Sequence, residues 1–167
     1  MITRARLKEL LHYDPITGRW TWIAPQSRRM KVGDEAGYQF RKRDGFRGSE
    51  FRRINVGGRG YRSSHLAWFY MRGRWPRRQI DHKNTNGLDD SWSNLRLATQ
   101  SQNCANKRCY KTNKFGFKGV HAHHKKYRAM IQSEGKRINL GDYDSPELAY
   151  AAYAAAAPVM HGDFARV

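Results

Sequence analysis

The sequence predicts an α+β protein, and three observations support this class. An amphipathic helix near the N-terminus is followed by a turn and a strand. Residues 79–103 read as a strand, a polar loop, a second strand and a helix. Residues 118–141 read as three short strands before an alanine-rich helix. The last pattern predicts a small three-stranded antiparallel sheet with one packed helix.

The first predicted element is a short amphipathic helix over residues 3–12. Its leucines form one apolar face, and Thr3 is placed to cap its first turn. The sequence DPITG at residues 14–18 predicts a turn that leads into the strand RWTWI. Residues 26–50 are rich in Arg, Lys and Gly and show little periodicity, so we expect an irregular loop region there.

A hairpin and a helix are predicted next. The sequences FRRINV and RGYRSS flank Gly57–Gly58, and glycines supply the positive φ angles of a two-residue turn. The following segment, HLAWFYM, predicts a helix capped by Ser63 or Ser64 and ended by Gly73.

The stretch QIDHKNTNGLDDSWSNLRLATQSQN predicts a strand, loop, strand and helix. Ile80, Asp81 and His82 close the first strand, and LRLA forms the second. Thr99 and Gln102 then have the spacing of a capping box, which predicts that a helix begins there.

The C-terminal third begins after a polar linker over residues 110–117. A final helix is predicted from Pro146, with Ser145 as its N-cap. Three strands precede this helix, near residues 118–123, 126–133 and 136–141.

Positive charge runs along the whole chain. The 167 residues carry a net charge of +18, and residues 1–60, 61–110 and 111–167 contribute +8, +6 and +4. A basic tail would suggest an appended arm, whereas this distribution indicates a long polyanion, and aromatic residues among the arginines favour nucleic acid. A generic charge that aids solubility is the alternative.

The composition excludes several other classes. The mean hydropathy of −0.90 and the charged N-terminus predict neither a membrane span nor a signal peptide. The two cysteines, Cys104 and Cys109, lack zinc-site spacing. We interpret them as free thiols in a reducing cytosol rather than as a disulfide.

The Asp-His pair suggests phosphodiester chemistry. Asp81 ends a strand, and Asn103 lies in the first turn of the following helix, where its side chain can point back toward that strand. A carboxylate and an amide oxygen suit a hard cation such as Mg²⁺, and His82 could take a proton from water. The basic surround would then hold a polyanion whose phosphate meets the metal.

The segment from His65 to Asn103 closely resembles phage and intron-encoded HNH endonucleases, whose ββα-metal motif reads Asp-His, then Asn, then Asn. The resemblance implies Asp81 and Asn103 as ligands of one Mg²⁺ or Mn²⁺ ion and His82 as general base. It also implies that Asn94 pins the loop and helps to orient the histidine. The N-terminal segment LLHYDPITGRWTW resembles that of phage members.

The C-terminal segment GFKGVHAHHKKYRAMIQSEGKRINLGDYDSPELAYAAYAAAA is similar to the AP-two-type DNA-binding domain of plant ethylene-response factors. That resemblance implies a three-stranded sheet in the major groove, backed by a helix. Where the plant domain uses arginines and tryptophans on its sheet, this chain departs, so the base preference does not carry over. The candidate DNA-binding residues are Lys118, His121, His123, Lys125, Arg128, Gln132 and Arg137.

Several residues keep two interpretations. His65 is balanced between a structural hydrogen bond and a phosphate contact near the site. His121 and His123 could bind a metal, although DNA contact or solvent exposure is favoured because no third ligand is in view. Asp89 and Asp90 could be extra metal ligands, although turn formation is favoured.

Together the resemblances predict three parts: a DNA-contacting N-terminal region at 1–60, which includes a loop region that is mobile or ordered by DNA, an HNH nuclease at 61–110, and an AP-two-like module at 111–167. We expect a phage homing-type or nicking DNA endonuclease that acts on double-stranded DNA in the cytoplasm of an infected host. We expect a monomer without a small-molecule cofactor or a membrane partner. A non-catalytic DNA-binding regulator is the competing class, and RNA binding is disfavoured because no strand carries interleaved aromatics.

Overall fold

The computed structural model describes residues 2–41, 50–109 and 113–167. The chain forms two compact units, Met1–Leu97 and Ala98–Val167. Each unit combines helices with small sheets, which confirms the predicted α+β class. No helix within the described ranges is both long and apolar enough to span a bilayer. The predicted three-part division has other boundaries and stays a prediction.

The first unit opens with helix α1 (Arg4–Leu10), whose cap is confirmed because the Thr3 hydroxyl accepts a hydrogen bond of 3.2 Å from the Arg6 amide. The helix is shorter than predicted. Strand β1 (Leu11–Tyr13) takes its last residues and pairs antiparallel with strand β2 (Trp20–Trp22).

A three-stranded sheet follows, made of β3 (Tyr38–Arg41), β4 (Glu50–Val56) and β5 (Arg59–Arg62). The glycine turn between β4 and β5 is confirmed, because Gly57 and Gly58 have φ angles of 59° and 73°. These left-handed values are the ones that a tight hairpin turn requires.

Strand β3 corrects the prediction of an irregular region over residues 26–50 at residues 38–41, whereas residues 26–37 form no helix or strand, as predicted. The strand lacks an apolar pattern of its own and is fixed by pairing, with Phe40 opposite Phe51 and Tyr38 opposite Arg53. Residues 42–49 of the predicted loop lie outside the described residues.

Helix α2 spans Ser63–Arg72. The predicted serine cap is wrong, because Arg62 is the N-cap and makes no capping bond through its side chain. Ser63 is the first helical residue, and its hydroxyl donates to the Arg52 carbonyl at 3.0 Å. The predicted end is confirmed, since Gly73 closes the helix with a φ of 71°.

The core of the first unit lies between α1, α2 and the sheets. Trp20 and Tyr13 are its largest fully buried side chains, with ring centroids 4.8 Å apart. Leucines from both helices and the inward face of β4 pack around these rings. The N-terminal segment is therefore part of this unit's core and not a separate arm.

Strands β6 (Gln79–His82) and β7 (Leu95–Ala98) pair to form a two-stranded sheet. A polar loop joins them and ends in a short 3-10 turn at Trp92–Asn94. This is the predicted strand, loop and strand.

The second unit begins with helix α3 (Gln100–Ala105). Its capping box is confirmed: the Thr99 hydroxyl accepts from the Gln102 amide at 3.2 Å, and the Gln102 side chain accepts from the Thr99 amide at 2.9 Å. The segment after this helix includes residues 110–112, which lie outside the described residues.

The three C-terminal strands are confirmed as β8 (Val120–His123), β9 (Lys126–Ser133) and β10 (Lys136–Tyr143). They pair antiparallel in the order β10, β9, β8. Helix α4 (Pro146–His161) packs on one face of this sheet, and Ser145 caps it by accepting from the Leu148 amide at 3.2 Å.

Candidate active site

The loop between β6 and β7 is closed by Asn94. Its side-chain oxygen accepts from the Asn84 amide at 3.0 Å, and its nitrogen donates to the Asp89 carbonyl at 2.7 Å. The Lys83 amide donates to the Asn94 carbonyl at 2.9 Å. The buried Asn94 lies at the end of the loop and binds its start and its middle, so the backbone just after His82 is fixed.

Asp81 lies at the end of β6 and is 4% exposed. One of its carboxylate oxygens accepts from Arg96 Nε at 2.8 Å, and the Arg96 side chain is only 15% exposed. A buried carboxylate needs such a partner, because an unpaired charge out of water is costly.

His82 follows Asp81 and points its ring into the same loop. Its Nε2 lies 2.9 Å from Asp90 Oδ1. An ionised carboxylate accepts hydrogen bonds and donates none. With Asp90 ionised, the proton of this contact therefore sits on His82 Nε2, and the lone pair of a neutral ring sits on Nδ1.

Asp90 is fixed from three sides. It is 1% exposed, and its backbone carbonyl accepts from the Tyr13 hydroxyl at 2.6 Å. Its second carboxylate oxygen is hydrogen-bonded by the Ser63 hydroxyl at the start of α2. An anion at the N-terminus of a helix is favoured by the exposed amides and the helix dipole. Burial, with the charge of Asp90, raises the pKa of Tyr13, so its hydroxyl stays a donor.

The N-terminal turn supports the same loop. Gly18 has a φ of 72°, and a Cβ there would overlap the backbone of Asp90 and Ser91. The Trp92 amide donates to the Pro15 carbonyl at 2.8 Å. The DPITG turn and the histidine-bearing loop are thus packed backbone to backbone.

His65 lies on α2, in the electrostatic environment of His82 and Asp90. Its Nδ1 is buried and has no hydrogen-bond partner among the residues that the structure describes. Burial, together with the charge of Arg62, lowers the pKa of His65. The ring is therefore neutral over a wider pH range, and its role as a phosphate contact stays a prediction.

Asn103 lies in α3 of the second unit, where its backbone amide donates to the Thr99 carbonyl at 3.0 Å. Its predicted role as a metal ligand rests on the sequence resemblance.

The chemistry of the predicted ligands fits a hard divalent cation. A carboxylate and an amide offer oxygen donors, and Mg²⁺ keeps most of its waters, so it takes few protein ligands. An ionised carboxylate has about four lone-pair sites, so the Arg96 bond to one Asp81 oxygen is compatible with a metal bond to the same group. No group of three or more His, Cys, Asp or Glu side chains able to hold a metal occurs within the described ranges.

The C-terminal sheet places most predicted DNA-binding residues on one face. Cross-strand partners share a face, and Arg128 pairs with His121, while Arg137 pairs with Gln132. Alternation along the strands puts these residues and His123 opposite the face that α4 covers, where Val120, Ala129 and Ile131 lie. Lys125 is exposed in the turn after β8.

Lys118 differs from these residues. Its ammonium donates to the Ala105 carbonyl, to the Lys107 carbonyl at 3.0 Å and to the Arg166 carbonyl at 3.2 Å. Burial, with the charge of Arg166, lowers the pKa of Lys118 to about 8. These contacts give Lys118 a structural role inside its unit, and DNA contact by this residue stays a prediction.

Arg128 is also engaged within the sheet. It binds Asp142 through two bonds of 2.7 and 2.9 Å, and His123 Nδ1 lies 2.9 Å from its Nη2. This network orients the guanidinium at the sheet surface. His121, Gln132 and Arg137 remain exposed.

Two comparisons with known proteins identify the family of this chain. The family model of HNH endonucleases matches residues 61–105, which run from the end of β5 through α3. Protein 3.8 of Escherichia phage T7 is 35% identical over 89 residues, which cover 52% of this chain and 73% of that protein. This chain belongs to the same family as protein 3.8 and carries an HNH endonuclease domain. The HNH domain contains Asp81, His82, Asn94 and Asn103.

Three contacts around the HNH motif are not predicted by the sequence. Asp90 lies in the loop, as its interpretation as a turn residue requires, and its carboxylate also binds His82. Tyr13 and Arg96 gave no functional signal, because their partners lie 77 and 15 residues away along the chain.

Proposed function

We propose that this protein is a metal-dependent DNA endonuclease that hydrolyses phosphodiester bonds and mainly nicks duplex DNA as a monomer. The observation that carries the proposal is the placement of His82, whose ring is bound at Nε2 by a buried carboxylate and whose backbone adjoins a loop pinned by Asn94. That placement suits a general base.

In this mechanism His82 Nδ1 accepts a proton from the water that attacks the phosphorus. The bond between phosphorus and the 3′ oxygen breaks, and this oxygen takes a proton from a second water, so the products are a 5′-phosphate and a 3′-hydroxyl. Asp81 and Asn103 would hold Mg²⁺ or Mn²⁺, and a metal bound there would supply positive charge to stabilise the phosphate and the leaving oxygen. Lys and Arg side chains of the basic surface hold the DNA backbone.

The second unit supplies DNA binding in this proposal. Its support is the sheet face on which His121, Arg128, Gln132 and Arg137 lie together, combined with the AP-two-like sequence. The major groove of B-DNA admits a two-stranded β-ribbon, so two strands of this face have the dimensions to enter it. A homing-type role would follow from such bipartite binding to a long asymmetric site.

A non-catalytic DNA-binding protein is the second candidate, and the Asp81–Arg96 ion pair favours it. A guanidinium on Asp81 supplies positive charge where a cation would otherwise bind. In a regulator Asp81 would bind Arg96 and no metal. In a nuclease the same carboxylate would bind Arg96 and the metal together.

Incubating the full chain with supercoiled plasmid separates the two. We expect open circles with Mg²⁺, none with EDTA, and recovery when Mg²⁺ or Mn²⁺ is restored. Asp81→Asn should lose nicking but still bind the plasmid, whereas Asp144→Asn, which changes an exposed carboxylate of the second unit, should keep it. Undiminished activity in EDTA would refute the metal role, and no nicking under any metal would favour the regulator.

A further inference from the structure

The buried carboxylate of Asp90 does not belong to the HNH residues predicted from the motif. Its side chain is 2% exposed, against 14% for His82, and the two meet at 2.9 Å. Among the described residues, the other hydrogen bond to the Asp90 carboxylate comes from the neutral Ser63 hydroxyl. The carboxylate is thus directed at the imidazole.

Contacts on both the backbone and the side chain restrict the conformation of Asp90. Tyr13 holds its backbone carbonyl, Ser63 holds its second carboxylate oxygen, and Gly18 packs on its main chain with no room for a side chain. These contacts come from β1, the N-terminal turn and α2, and each contact is buried or part of the core. The first unit therefore fixes the carboxylate before DNA or metal binds.

A fixed acceptor at Nε2 decides which tautomer of His82 is stable. If the proton moved to Nδ1, the Nε2 lone pair would face an ionised carboxylate, which is repulsive. The contact therefore keeps the lone pair on Nδ1 and also sets the plane of the ring. Both properties are what a general base needs before water arrives.

We propose that Asp90 is the positioning residue of His82, holding the imidazole in the Nε2-protonated tautomer with Nδ1 directed at the attacking water. This inference rests on the proposed function, since it assigns a role in the same reaction. Asp90 itself touches neither DNA nor water in the mechanism. The alternative that Asp90 is a metal ligand is disfavoured, because both of its oxygens already have protein partners.

The test compares Asp90→Asn and Asp90→Ala with Asp34→Asn, measured by single-turnover nicking of plasmid, by plasmid affinity and by ¹⁵N NMR of the His82 ring. The control carboxylate of Asp34 lies in the same unit but outside the HNH loop, where it accepts from the Lys31 amide at 2.7 Å. We expect both Asp90 variants to lose at least about tenfold in rate, because general-base catalysis contributes about 10²–10⁴-fold. Affinity should be unchanged, and Asp34→Asn should nick like the wild type.

The NMR measurement separates positioning from folding. Wild-type His82 should show the Nε2-protonated tautomer, and the Asp90 variants should show a mixture or the other tautomer while the remaining spectrum stays folded. A wild-type tautomer and rate in Asp90→Asn and Asp90→Ala would overturn the inference. If the wild type does not nick, the proposed function fails, and the tautomer of the variants still supports or refutes the role of Asp90.

Discussion

Replacing Gly18 by alanine tests whether the N-terminal turn builds the HNH loop. Gly18 has a φ of 72°, and its missing side chain leaves space that the backbone of Asp90 and Ser91 occupies. An alanine at a left-handed φ costs about 1–2 kcal/mol. Overlap with a packed neighbour adds about 1–3 kcal/mol, because a backbone segment must shift.

We therefore expect Gly18→Ala to lower the free energy of unfolding by about 2–5 kcal/mol, which a domain with about 5–15 kcal/mol of stability can survive. Gly33→Ala is the matched control. Gly33 has a φ of 87° but no atom within 4 Å of the added Cβ. Only the backbone cost of about 1–2 kcal/mol should appear there.

The assay is urea unfolding of both variants, followed by nicking under conditions where both are folded. Gly18→Ala should nick more slowly than Gly33→Ala, because the shift reaches Asp90 and through it His82. Equal stability losses in the two variants would refute the packing argument. An equal rate in both would show that the turn does not position the loop.

Two further predictions concern the second unit. The two bonds from Arg128 lower the pKa of Asp142 from 3.8 to about 2. This carboxylate therefore stabilises the fold above pH 4 and loses that contribution as the pH falls toward 2. Urea unfolding at several pH values should show that the free energy of unfolding falls less between pH 4 and pH 2 in Asp142→Asn than in the wild type, and an equal fall in both proteins would contradict the ion pair. Lys118→Met removes the donor to three carbonyls and should cost about 1–3 kcal/mol of unfolding free energy, whereas the exposed control Lys125→Met should cost almost nothing. If Lys118→Met instead weakened DNA binding with no loss of stability, the lysine would be a DNA contact.

Local signals in the sequence predicted the fold well. Helix caps and tight turns depend on residues within four positions of each other, so a short stretch of sequence is enough to predict them. This holds for the caps by Thr3, Thr99 and Ser145 and for the Gly57–Gly58 turn. The candidate HNH residues lie within one stretch of 25 residues from Gln79 to Asn103, and their roles, implied by the resemblance of that stretch to HNH endonucleases, stay predictions.

What could not be predicted depends on distant partners. Strand β3 has no periodic pattern and exists because β4 pairs with it. Ser63 does not cap α2, since its hydroxyl is used by Arg52 and Asp90. The position of Asp90 depends on the hydrogen bond from the Tyr13 hydroxyl to its carbonyl. These two residues are 77 positions apart, so no pattern of neighbouring residues predicts the contact.

The central claim is that His82 activates water for phosphodiester hydrolysis, and His82→Ala tests it most directly. With supercoiled plasmid and Mg²⁺, the variant should lose nicking by about 10²-fold or more. It should bind the plasmid as tightly as the wild type, because phosphate contacts lie elsewhere. The control His12→Ala, on the exposed side of β1, should nick normally. Open circles forming at the wild-type rate with His82→Ala would contradict the account.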